Sequence, residues 1–401
     1  MKKTSDRIEN KNAVEKPIKL VINGKFLQLS TSRSGVFRVA KELLVALDKV
    51  LADNQEFFHA VQCRVATPNA ELHDLNLCQI KVEGAEHNIN MFSWMRRLTG
   101  LLWEQLILPF RSRGETIISL CNIGPIFHRD AVTMVHDAQV FISPASYSRL
   151  FRTWYCFALP LLGKRNKAIL TVSQYSKDQL TQFLIAPADR IKVIHNGCDH
   201  VLRLTPDTEF AKNSGLKDTK YIVALANCQK HKNIAVLLEA FSSSEMSEAT
   251  LVLFGPAIRE DFERQGQEVP SNVKFLGFIT DTQLAGLLKD AVALAFPSTT
   301  EGFGLPPLEA MALGCPTVIA PRGALPEVCG DAALHADADV PQQWVNQLTR
   351  LLNDDNLRTE MRRRGMLQAA QFTWERAARQ LLETVLDGHL TKKRFVHSTE
   401  N

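Results

Sequence analysis

The sequence predicts an α/β protein of two doubly wound, Rossmann-like domains facing a central cleft. Three observations predict it. Short β-rich apolar runs alternate with segments of helical periodicity through the first half. The same rhythm restarts after a Gly-, Pro- and polar-rich break at His195–Leu216. The chain has 401 residues, enough for two domains of ordinary size.

Taken in order, IKLVINGKFL (Ile18–Leu27) is β-rich. Val36–Ala52 has apolar residues at 36, 39, 40, 43, 44, 47, 50 and 51, the spacing of one helix face. Ala131–Asp137, Lys167–Ser173 and Arg190–Gly197 are short continuous apolar runs, as expected of strands buried in a parallel sheet. In the second half YIVALAN reads as a strand and NIAVLLEAF as a helix, and ATLVLFG and VKFLG read as strands. TDTQLAGLLKDA reads as a helix capped by Thr280 or Asp281. VALAFPS, PLEAMALG and PTVIAP then give strand, helix and strand, and an amphipathic helix, Thr373–Gly388, closes the pattern. The resulting division is a disordered lead-in (1–17), a first domain (18–198), a second (199–372), a C-terminal helix packing back on the first (373–390) and a disordered tail (391–401). In doubly wound domains ligands sit at the carboxyl ends of strands, so the loops after strands in both halves carry the chemistry.

Composition excludes several classes. No apolar run reaches transmembrane length, and the polar N-terminus is no signal peptide. Eight cysteines lie scattered, none with the two-residue gap of a zinc or redox pair, which fits a reducing cytoplasm. Residues 1–200 carry 26 Lys/Arg against 18 Asp/Glu, and residues 201–401 carry 21 against 25. A basic first half points to an anionic partner, but no nucleic-acid motif accompanies it.

The most informative stretch is FPSTTEGFGLPPLEAMALGCP, Phe296–Pro316, where Glu301 and Glu309 bracket a Gly/Pro-rich loop. Glu301 lies just past a strand end. Pro307 suits the first turn of a helix, and Glu309 then falls in that turn, where the helix dipole favours a carboxylate. Gly314 is a natural stop. Gly302 and Gly304 allow a sharp turn with exposed N–H groups. Carboxylates accept pairs of hydroxyls, so two of them several ångströms apart suit a ligand with two separate diols, such as a sugar and a ribose. An arbitrary glutamate pair reads more simply as a helix cap and a solvated side chain.

The tract PSTTEGFGLPPLEAMALGCPTVIAPRGALPEVCGDAAL closely resembles the donor-binding signature of retaining glycosyltransferases of family four, which have the GT-B fold. VSQYSKDQL with PADRIKVIHNGCD resembles the family's hinge-proximal segment. INGKFLQLSTSRSGVFRVAKELLVALD, LLWEQLILPF, CNIGP and VHDAQVFISPASYSRLFRTWY are similar to its bacterial surface-polysaccharide, mannosyltransferase-like branch, so the resemblance runs from about Ile18 to Leu390. It implies that Glu301 contacts the transferred sugar and that Glu309 binds the ribose. Gly302, Phe303, Gly304 and Leu305 would offer backbone N–H groups, and Lys232 in KHKNIAVLLEAF would neutralise the diphosphate. Many relatives carry an arginine five residues before that lysine; here the position is Asn227, which brings no charge, with Lys230 as the compensating group. Gly35, after Ser34 at a helix start, would meet phosphate or acceptor, and Arg38 matches a recurrent arginine. His136 would reach the exocyclic hydroxyl of the sugar, with Asp137 either orienting the imidazole or acting on the acceptor.

The implied reaction is retaining transfer of a hexose, mannose by resemblance to this branch, from a nucleotide diphosphate sugar to a saccharide or polyprenyl-linked acceptor. GDP-mannose is the expected donor and UDP-glucose its nearest rival. An epimerase of the same fold and a non-catalytic partner of a transferase are the alternatives, the latter favoured only by Asn227. Asp337–Asp339 reads as a solvated turn, and no cofactor or metal is expected. Trp94–Arg113 mixes Trp, Leu and Arg, either as a core helix with a basic rim or as a segment lying on the cytoplasmic face of the inner membrane.

Overall fold

The computed structural model describes residues 17–29, 35–53, 60–68, 75–84 and 99–397. The lead-in before Pro17, Ser34 and residues 94–98 lie outside them.

Among the described residues, two all-parallel sheets organise the chain. In the first, seven strands run in the order β3-β2-β1-β4-β5-β6-β7, comprising β1 Ile18–Asn23, β2 Val61–Thr67, β3 Lys81–Gly84, β4 Thr116–Ser119, β5 Ala131–Met134, β6 Ala168–Thr171 and β7 Ile191–Val193. The second has six strands in the order β10-β9-β8-β11-β12-β13: β8 Tyr221–Leu225, β9 Thr250–Phe254, β10 Val273–Gly277, β11 Ala293–Phe296, β12 Thr317–Ile319 and β13 Leu334–His335. Each order reverses once, between β1 and β4 and between β8 and β11. Those are the crevices where doubly wound folds bind ligands.

The helices that matter for the site are α1 (Gly35–Asp53), α2 (Arg149–Arg165), α3 (Gln174–Gln182), α4 (Ile234–Phe241), α5 (Asp281–Asp290), α6 (Leu305–Ala312), α7 (Leu325–Cys329) and α8 (Trp374–His397). Their ends follow local chemistry. Ser173 caps α3, its hydroxyl accepting the Ser176 N–H. Thr280 caps α5, with Gln283 completing a capping box. Gly314, at φ 75°, stops α6.

Three expectations need correction. The β-rich run Ile18–Leu27 is a strand only to Asn23, after which Gly24–Leu29 turns as 3-10 helix. Asn23 is buried and donates to Glu104 and Ser119, which bends the chain away from the ladder. α6 starts at Leu305, so Glu309 is its fifth residue and lies beyond the first turn. The prolines at 306 and 307 lack only N–H groups that the first turn leaves orphaned anyway. Third, the last helix continues to His397, through residues assigned to the tail; Gly388 does not stop it.

The two sheets share apolar packing. The largest core cluster joins Leu43, Leu44 and Leu47 of α1 to Phe303, Leu308 and Met311 of the second domain and to Trp374, Leu381 and Val385 of α8. α8 therefore leaves the second domain and lies along α1. Its start is wedged against the chain between the domains: a Cβ on Gly197 would lie 2.2 Å from the Trp374 nitrogen. Gly197→Ala is expected to lower stability by ~3 kcal/mol through overpacking. Gly35→Ala, whose Cβ would meet nothing within 4 Å, is expected to change it by less than about 0.5 kcal/mol. Urea unfolding of the two variants checks the contrast.

Candidate active site

The site forms where the loops after β8 and β11 meet the loop after β5. Thr299 donates its N–H to the His231 carbonyl at 2.8 Å, tying the β11 loop to the β8 loop. Asn233, left-handed at φ 53°, donates from Nδ2 to the Ala338 carbonyl at 2.7 Å and pins the second loop from behind. The pinned turn carries Lys232, whose Nζ lies 2.6 Å from Glu301 Oε1. Both side chains are mostly buried, and removing one partner of such a pair typically costs about 3–5 kcal/mol.

Glu309 sits one helical turn further along the cleft. Its Oε1 is 3.1 Å from His200 Nε2 and 4.0 Å from an Arg38 nitrogen. Arg38 belongs to α1 of the first domain, and its guanidinium also donates to Asp281 at the start of α5, at 2.7 Å. Burial works against the Arg38 charge, but Glu309 and Asp281 more than offset it and hold the pKa above the ordinary arginine value. His200 is fixed by the Trp374 indole N–H, which donates to Nδ1 at 3.1 Å. The first-turn dipole argument for Glu309 therefore gives way to placement by Arg38 and His200.

From the first domain, His136 enters almost fully buried, with Nε2 donating to the Leu120 carbonyl at 2.8 Å. Burial depresses its pKa to about 4, the Leu120 bond opposing only part of the effect. The imidazole is neutral at pH 7 with Nδ1 as its acceptor face. Asp137 accepts the Gln139 N–H at 2.9 Å. Burial raises its pKa, and the nearby Glu301 charge adds to that while Lys232 opposes it.

The loop between the carboxylates is shaped by contact. A Cβ on Gly302 would come 2.8 Å from the His136 carbonyl oxygen and 2.9 Å from Asp137 Cβ, so the first domain leaves no room for a side chain there. Gly304 has φ 97°, a conformation that favours glycine, and leads into Leu305 at the start of α6. The Phe303 ring is buried and packs edge-on to Phe372, with His195 beside it.

Other singled-out residues are placed less centrally. Asn227 Oδ1 accepts the Gln229 N–H at 2.8 Å, which leaves its NH₂ to donate. Lys230 is exposed at the head of the Lys230–Lys232 turn. Gly35 is the exposed first residue of α1. Asp337 and Asp339 face Arg322 at 3.5 and 3.6 Å.

Sequence reasoning missed His200, Trp374 and Asp281 as partners of this site, and Ser173, Ser176 and Glu327 as groups that reach it. Only the cap spacing of Ser173 and Ser176 is a local signal.

The titration of His136 has a defined sign. The folded imidazole stays neutral down to about pH 4, whereas the unfolded one takes a proton below about 6.5. Stability should therefore fall as pH drops from about 6.5 to about 4 and level off below, by roughly 3 kcal/mol at most. Urea unfolding at pH 7 and pH 4.5 is expected to show this extra loss in the native protein and not in His136→Gln.

Comparison with known proteins gives the family and the fold. Residues 206–368, which hold Lys232, Glu301 and Glu309, match the model of "Glycosyl transferases group 1". O-antigen chain mannosyltransferase B of Escherichia coli is 32% identical over 276 residues, covering 65% of this chain and 72% of that protein. O-antigen chain mannosyltransferase RfbU of Salmonella typhimurium is 27% identical, covering 57% and 62%. Among solved structures, Anabaena HepE in complex with UDP and glucose superposes with a TM-score of 0.66 at 20% identity, covering 92% of this chain and all of that one. WaaG, a glycosyltransferase involved in lipopolysaccharide biosynthesis, superposes at 0.64 with 15% identity, covering 92% and 99%. These two share the fold of paired Rossmann-like domains. On the strength of the matched model and of a relative aligned over most of its own length, the chain belongs to the group 1 glycosyl transferases.

Proposed function

We propose that the protein transfers mannose, with retention of anomeric configuration, from GDP-mannose to a saccharide or polyprenyl-linked acceptor in surface polysaccharide synthesis. One observation carries the reading. Two carboxylates, Glu301 and Glu309, lie in the interdomain cleft at the carboxyl ends of the second sheet, each beside a cation and each facing the first domain. Glu301 takes the hydroxyls of the donor sugar and Glu309 the ribose diol. Lys232 leaves Glu301 for the diphosphate, joined by N–H groups of the Gly302–Leu305 loop. The charge growing on the departing phosphate is what these donors stabilise, each by about 3 kcal/mol. Neutral His136 offers Nδ1 to the exocyclic hydroxyl. Asp137 is engaged by the Gln139 N–H rather than placed as a nucleophile, which favours front-face attack over a covalent intermediate.

The names of the Escherichia coli and Salmonella relatives support mannose. The UDP and glucose in the HepE complex keep UDP-glucose as the rival donor. Asn227 retains an amide that can bond a phosphate, and Lys230 supplies a charge nearby. The matched family model and the relatives' names do not favour an epimerase or a binding-only partner.

The acceptor would be met at a membrane surface. Among the described residues no helix is long and apolar enough to cross a bilayer. The helical segment 99–111, however, buries Trp103 and Leu108 and turns Leu102, Leu106, Ile107 and Phe110 outward, with exposed Arg111 and Arg113 nearby. An outward apolar stripe rimmed by arginine suits the headgroup region of an anionic bilayer.

Three outcomes test these readings. At about 100 times its dissociation constant, GDP-mannose is expected to stabilise the native protein by about 2.7 kcal/mol, visible as a higher melting temperature, and Glu309→Ala is expected to abolish that shift. Lys232→Ala is expected to lower kcat by about 100-fold in a radiolabelled-sugar assay with membrane lipid extract. An isomerised sugar nucleotide, or binding without turnover, would contradict transfer. Leu106→Ser with Phe110→Ser is expected to abolish co-sedimentation with vesicles containing phosphatidylglycerol.

A further inference from the structure

We propose that Ser173 and Ser176, at the start of α3 in the first domain, are positioning residues for the donor loop of the second domain, so that closing the cleft is what aims the loop's N–H groups. The proposal rests on the transferase reading for its catalytic consequence, but not for its structural content.

The geometry is specific. Ser173 is fully buried, and its hydroxyl donates to the Gly302 carbonyl at 2.6 Å. The same oxygen accepts the Ser176 N–H at 3.0 Å, so its one proton and its lone pairs both have defined partners. Ser176 Oγ lies 3.0 Å from both the Gly302 and the His136 carbonyl oxygens and donates to one of them at a time. Two hydroxyls of one domain thus converge on one carbonyl of the other. A trans peptide is planar, with C=O and N–H pointing in opposite directions. Holding the Gly302 carbonyl towards α3 therefore turns the Phe303 N–H away from α3. Rotation of that peptide would cost the hydroxyl bonds.

Neighbouring contacts hold α3 itself. Glu327 of α7 accepts the Gln174 N–H at 2.8 Å and the Tyr175 N–H at 3.1 Å, a carboxylate seated on a helix N-terminus. His195 Nε2 lies 2.8 Å from the same carboxylate. Gln139 donates to Thr300 Oγ1 at 3.1 Å, one residue before Glu301. With the absence of space for a Cβ on Gly302, these bonds make the interface at the donor loop a fitted one. Opening the cleft breaks the Ser173 and Ser176 bonds to Gly302 together and frees the peptide to rotate.

The test is a Ser173→Ala/Ser176→Ala double variant of the full chain, beside Ser176→Ala, a change that a helix tolerates well, and Ser173→Thr, which keeps the hydroxyl. The first readout is hydrogen exchange without substrate. The Ala324 amide, which donates to the Glu301 carbonyl of the loop at 3.0 Å, is expected to exchange at least tenfold faster in the double variant, while β8 and β11 keep native protection. Ser176→Ala should give a smaller increase and Ser173→Thr none. The second readout is transfer from GDP-mannose, where kcat is expected to fall about tenfold in the double variant and to be retained in Ser173→Thr. Unchanged exchange at Ala324 overturns the proposal, as does faster exchange spread evenly over the second domain. If the native protein transfers no sugar, the functional reading fails, and the exchange measurement still decides whether the serines position the loop.

Discussion

The structure depends on one constraint: two carboxylates must be held nearly buried at the mouth of a cleft while remaining open to a ligand. A carboxylate in that setting needs a cation or several donors. Here the cations come from different places. Lys232 approaches Glu301 from within the same domain, whereas Arg38 approaches Glu309 from the other. The second arrangement makes the electrostatics of the donor site a property of both domains together. Arg38 adds to that by bonding Asp281 on the far rim.

Under the proposed reading both pairings have a chemical use beyond stability: Lys232, beside Glu301, would move to a diphosphate when one arrives, exchanging one ion pair for another rather than exposing a buried charge. His136, with its pKa depressed to about 4, adds no charge to the first-domain wall of the site at neutral pH. Under the proposed reading the anionic parts of a donor meet Lys232 and the backbone N–H groups of the Gly302 loop.

Much of the fold was legible in the sequence because parallel strands are short apolar runs and their helices are periodic. The helix after Gly35, the strands β5 to β12 and the stop at Gly314 carry local signals of that kind. The loop between Glu301 and Glu309 was legible through the resemblance of the letters around it to a family signature; the glutamate pair alone reads as a helix cap and a solvated side chain. What could not be read was contact between residues far apart in the chain. His200 and Arg38 meet Glu309, and Trp374 holds His200, where α8 returns to α1 and wedges against Gly197. The start of α6 was misplaced by two residues because a proline marks a first turn without saying which position in it. Ser173 could be recognised as a cap; its bond to Gly302, 129 positions away, leaves no trace in spacing or composition.

A crystal structure with an intact nucleotide diphosphate sugar tests the central claim most directly. The account requires Glu301 to bond hydroxyls of the sugar, Glu309 to bond the ribose, and Lys232 to have left Glu301 for a phosphate oxygen. A donor bound with its ribose away from Glu309, or with the Lys232–Glu301 pair intact, would contradict it.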